Sequence, residues 1–173
     1  MMTQEGSATG NRPKMQLDVA RLRMLVFQLN SEHAQLRLPL VRLGAAGTAL
    51  AANPQNSASR HEAREAWRQM LDVIEQHMNR REDEEALKAA ETLKVMTDET
   101  AQAMIAVCNK LKELEHQISQ IDFELSPPDL WARAGEAMRQ FAVILDDLVL
   151  REDRELLPRL QRIAYGPGTN PKR

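Results

Sequence analysis

Aromatic side chains are scarce in this chain, with two Trp, one Tyr and three Phe among 173 residues. A protein that grips single-stranded nucleic acid needs stacking platforms and a basic stripe. Here Lys and Arg number 23 against 25 Asp and Glu, for a formal net charge of -2, so no nucleic-acid or other polyanion partner is expected. Cysteine occurs once, at Cys108. That excludes a disulfide within the chain and fits a reducing compartment. Its neighbours Ala106, Val107 and Leu111 make a buried, inert thiol the plain reading. No apolar run approaches the length of a membrane span, and the opening MMTQEGSATGNRPK lacks the apolar stretch of a signal peptide. The expected location is therefore cytoplasmic, with no membrane partner. Also missing are a glycine-rich phosphate loop, a nucleophile elbow and a zinc-spaced Cys/His set, so an enzyme is not expected.

Glycine and proline are few as well, seven and eight, and they sit mostly at the ends and in two loops. Between them the chain is rich in Ala, Leu, Glu, Arg, Gln and Met, all strong helix formers. No stretch alternates β-branched residues as a strand does. The fold class is all-α. A first helix carries Leu17, Ala20, Leu22, Leu25, Val26 and Leu29, with Asn30-Ser31 as a cap and Pro39 expected to kink or reset it. Asn53 to Ser57 is a loop. Ser59 and Glu62 have capping-box spacing, so a long helix should start near residue 60. Asp98 is placed to cap a third helix that runs to about Phe123. Ser126-Pro127-Pro128-Asp129 ends it and opens the last helix. The expected architecture is an up-down antiparallel four-helix bundle over residues 15–165, with an extra N-terminal helical segment. Residues 1–14 and 166–173 read as disordered tails.

The loops allow a test of height. In an antiparallel pair, residues equidistant from the turn are level. His33 and His77 straddle the Asn53–Ser57 loop, and His77 and His116 straddle Thr97-Asp98. Three histidines from three helices are thereby expected at one level. Bundle cores hold metals through inward His and carboxylates at such a level, and imidazole with carboxylate suits iron, zinc or manganese. Each histidine taken alone reads equally as a surface or core-edge residue. His61, in the first turn of its helix, lies off this level.

A repeat reinforces the pattern. Arg81 to Leu87 reads REDEEAL and Arg151 to Leu157 reads REDRELL. Glu82 follows His77 by five residues, as Glu152 follows Asp147. Glu32-His33 opens one half and Glu115-His116 the other, as in a duplicated helical hairpin. The alternative for the RED words is an exposed face laced with pairs such as Arg81 with Glu85.

These pieces resemble the hemerythrin-like (HHE cation-binding) family across roughly Leu25 to Leu160. They are Leu29-x-x-Glu32-His33-x-x-Leu36-Arg37, then His77 followed by Glu82-Asp83, then Glu115-His116, then Leu148-x-x-x-Glu152-Asp153-x-x-Leu156-Leu157-Pro158. The resemblance implies a non-haem iron centre, mono- or di-iron, between four helices, which binds or senses oxygen or nitric oxide or handles iron. The ligand set it implies is His33, His77, Glu82, His116 and Glu152, with Asp147 or Asp153 assisting. The chain departs from the family pattern in three places. Arg81 stands four residues after His77, where the family has Glu; Leu148 stands where the fourth helix has His; and Lys112 stands where some members carry a second His. A turn centred on Pro127 also puts Glu152 some 14 residues beyond the level of His116, on the order of 20 Å away.

Two other functions remain open at this point. One is a metal-free regulatory bundle, since anti-sigma regulators are similar four-helix bundles with His and Glu five apart on the second helix. The other is a helical assembly protein whose methionines, Met70, Met78, Met96 and Met104, repack on a protein partner.

Overall fold

A computed structural model describes residues 19–81, 98–122 and 125–166, with the backbone alone at 21, 76–81, 98 and 101. All regular structure among them is helical. Helix α1 spans Val19–Ala52, α2 Ser57–Arg81, α3 Asp98–Ser119 and α4 Pro128–Arg151; α4 passes through a π-helical turn, Glu152–Leu156, into α5, Leu157–Tyr165. None of these helices is long and apolar enough to cross a membrane.

Pro39 does not reset the first helix: α1 runs unbroken through it for 34 residues. A proline removes one backbone bond and crowds the preceding turn, and packing along α1 offsets that cost. The helix lies against α2, α4 and α5 and buries Leu36, Leu40, Leu43 and Leu50 on one face. The start of α2 also differs from expectation. Asn56 caps it, its Oδ1 accepting from the backbone N–H groups of Ala58 and Ser59 at 2.8 and 3.3 Å. The helix therefore opens before Ser59, and Glu62 is left to accept two bonds from Arg42. Pro128 opens α4, where a missing N–H costs nothing, and α3 ends at Ser119, short of Phe123.

The main core joins α1 to α4. Its fully buried members include Met70, Leu111, Ile118, Trp131, Phe141 and Leu145, each worth about 1.5–3 kcal/mol of burial where large and apolar. Trp67 meets Phe141 edge to face, with centroids 5.3 Å apart. Cys108 packs, half buried, at the margin of this core. A second, smaller cluster joins Leu22 and Val26 of α1 to Leu157, Leu160 and Ala164 of α5. Helices α1 and α4–α5 run antiparallel. Gly47 lies beside Gly135, Gly44 beside Ala142, His33 beside Glu152 and Arg23 beside Ala164. Between the two apolar clusters lies a polar layer.

Candidate metal-binding layer

The polar layer is built on the π-helical turn. Pro158 lacks an N–H and its ring would crowd the carbonyl of Arg154 in a regular helix. The chain widens there instead, and the N–H of Leu157 donates to the carbonyl of Glu152, five residues back. Single π turns of this kind recur at functional sites. Here the turn presents two consecutive carboxylates to one side chain of α1.

That side chain is His33, 2% exposed. Its Nδ1 lies 2.6 Å from Asp153 Oδ1 and its Nε2 lies 3.1 Å from Glu152 Oε2. Glu152 is 1% exposed, Glu32 is buried too, and Asp153 is partly open, with Arg37 at 3.7 Å. An ionised carboxylate only accepts, and a neutral imidazole has a single N–H to give. With a carboxylate on each ring nitrogen, a neutral imidazole can donate to only one of the two. The other nitrogen, Nε2 beside Glu152, is a donor atom of the kind a metal ion takes.

The structure brings together three of the seven residues expected at a centre, His33, Glu152 and Asp153. It does not bring in two others, since His116 and Asp147 are exposed. The expected level of three histidines is corrected accordingly. Thr100 and Met104 of α3 line a void no larger than a water molecule against Glu152, so they share its height. His116 lies twelve residues further on, about 18 Å along the helix. The same register agrees with the height read from the Pro127 turn, which sets Glu152 far from the level of His116; Glu152 is level with His33 instead. His77 has only its backbone described and Glu82 lies outside the described residues, as does the first RED word after Arg81. Loop Asn53–Asn56 nevertheless puts the backbone of α2 near residue 76 at the height of His33.

Leu148, where the resembling motif has histidine, is buried in the main core. Met70 and Met104 are buried as well, so they form no docking face; Met78 and Met96 lie outside the described side chains. Among the described residues no group of three or more His, Cys, Asp or Glu has the spacing of a closed metal site. His33 and Glu152 fit a metal in donor type, nitrogen and oxygen side by side, and supply two of the four to six donors such an ion takes. The signal the sequence reading missed was Pro158, whose place after Glu152-Asp153 sets the π turn.

The chain matches no protein-family model, no curated protein and no solved structure.

Proposed function

We propose that this chain is a hemerythrin-like up-down bundle that binds a metal ion, iron before others, at the His33–Glu152 layer. It would bind or sense a diatomic gas there, or hold iron, rather than catalyse a reaction. The observation that carries this reading is the buried imidazole of His33 set between the carboxylates of Glu152 and Asp153. In it His33 Nε2 and Glu152 Oε2 are ligands. Asp153 holds Nδ1–H and so fixes the tautomer and the ring, the usual role of a carboxylate behind a metal-bound histidine. The level of His33 on α2 makes His77 and Glu82 the residues expected to complete the site.

Buried Leu148 and exposed His116 favour a second reading, in which the fold persists without metal as a regulatory module that binds a protein partner, as in anti-sigma bundles. In that case the layer serves only to lock α1 to the π turn.

Elemental mass spectrometry separates the two. Protein grown with added iron, or loaded anaerobically with Fe(II), is compared with His33→Ala and Glu152→Gln, each checked for helicity. Metal retained by the wild type and lost from both variants supports the first reading. A metal-free wild type after loading overturns it in favour of the second.

A further inference from the structure

Helix α1 is apolar on two opposite faces, and among the described residues only one of them is used within the chain. Away from the core stand Met24, Phe27, Leu38 and Val41, exposed by 59, 71, 73 and 71%. Their spacing extends through positions 20, 24, 27, 31, 34, 38, 41, 45, 48 and 52, alternating steps of four and three. That is the 3.5-residue period of a coiled-coil seam, and no charged residue interrupts it. The positions between the four large residues are small: Ala20, Ser31, Ala34, Ala45, Thr48 and Ala52. All are exposed except the half-buried Ser31.

The order of large and small residues is self-complementary. When a second α1 is laid antiparallel about a two-fold axis at residue 36, Met24 faces Thr48, Phe27 faces Ala45, Val41 faces Ser31 and Leu38 faces Ala34. Every large side chain meets a small one, and each layer repeats with the two chains exchanged, as an isologous contact requires. A parallel pairing instead sets Phe27 on Phe27 and Ala34 on Ala34, crowding some layers and leaving gaps in others. The seam is about 48 Å long and about 10 Å wide. That is on the order of 500 Å² per chain, or roughly 1,000 Å² for the pair, which reaches the size of a specific interface. Three arginines that border it are engaged on their own chain. Arg37 pairs with Asp153, Arg42 with Glu62, and Arg23 stacks on Tyr165.

We infer that this protein self-associates as an antiparallel dimer through the outer face of α1, the partner being a second copy of the chain. Sedimentation equilibrium over a wide dilution series is expected to give twice the chain mass. Leu38→Glu and Phe27→Glu change side chains exposed in the monomer, so helicity should be kept while the mass falls by half. The register has its own test in a Cys108→Ser background. Ala34→Cys chains mixed with Leu38→Cys chains should form a disulfide-linked dimer on mild oxidation, and neither should do so alone. A wild type of single mass overturns the proposal; it would mean that another part of the chain, or a different protein, covers this face. So does a dimer that survives both glutamates, or cross-linking of each cysteine variant only with itself.

Discussion

Helices α1 and α4 meet at two ends by different physics. Near the α1–α2 loop the contact is glycine on glycine. A methyl group added to Gly135 would lie 2.6 Å from both the Ala51 nitrogen and the Gly47 carbonyl oxygen, and one added to Gly47 would lie 2.6 Å from the Gly135 carbonyl. Near the π turn the contact is His33 on Glu152 and Asp153. The glycine end fixes register by excluding volume and needs no charge. The histidine end fixes it by directed bonds and carries the desolvation cost of buried charge. One helix pair thus has a close-packed end, whose glycine contact itself involves no charge, and a polar end where chemistry is available.

The sharpest way to break the polar end is His33→Ala. It removes the buried imidazole that Glu152 and Asp153 both contact, and breaking a buried pair of this kind costs about 3–5 kcal/mol. Urea unfolding should show that loss, and the melting temperature should fall on the order of 10 °C for a domain of this size. A loss below about 1 kcal/mol would mean that the layer is already well hydrated and that its carboxylates do not depend on His33.

The close-packed end is tested by two glycines with opposite expectations. Gly135→Ala raises helix propensity by about 1 kcal/mol, yet its methyl group meets backbone that cannot step aside. Overpacking of this kind costs about 1–3 kcal/mol, so the net change is destabilising. At Gly44 the nearest atom to an added methyl is Ala142 Cβ at 3.6 Å, an ordinary contact. Gly44→Ala should therefore stabilise by about 0.5–1 kcal/mol. Thermal melts of the two variants should move in opposite directions. A common direction would show that propensity, not the close approach, governs both sites.

Much of the frame was legible from local chemistry. Asn53 to Asn56 and the Pro127-Pro128 pair mark turns because they offer the backbone bonds or constraints a helix interior refuses, and Asp98 stands at the start of its helix. Other features depend on tertiary contact. Pro39 was misread because the packing that holds α1 together around it is not local. Asn56 took the cap expected of Ser59 because Glu62 had a better partner in Arg42, twenty residues away. Both His33 and Glu152 were legible as ligand types, and the family resemblance set them together, but nothing in the spacing alone did so. The height of Glu152 relative to His116 followed from the single turn at Pro127; the level of His116 with His33 was carried through two turns, and it missed by about 18 Å at 1.5 Å per residue. Nothing in sequence alone pairs Gly47 with Gly135.

The smallest effect sharpens the contrast between the ends, because an ionisable group stands next to the uncharged glycine contact. Glu136 follows Gly135 and accepts from Arg139 and Gln140. The Arg139 bond, then that of Gln140, lowers its pKa from the ordinary 4.5 to about 2. A depressed folded-state pKa stabilises wherever the carboxylate is ionised in both states. The contribution is therefore whole above about pH 4.5 and is lost as pH falls toward 2. The pair lies at the surface, so salt screens it and its share of stability is slight. Stability curves of wild type and Glu136→Gln should differ by a constant small amount above pH 4.5 and converge below it, and the gap should narrow in high salt. If NMR titration of Glu136 gave an ordinary glutamate midpoint, the Arg139 contact would not persist in solution. The close-packed end would then draw no pH dependence from this pair.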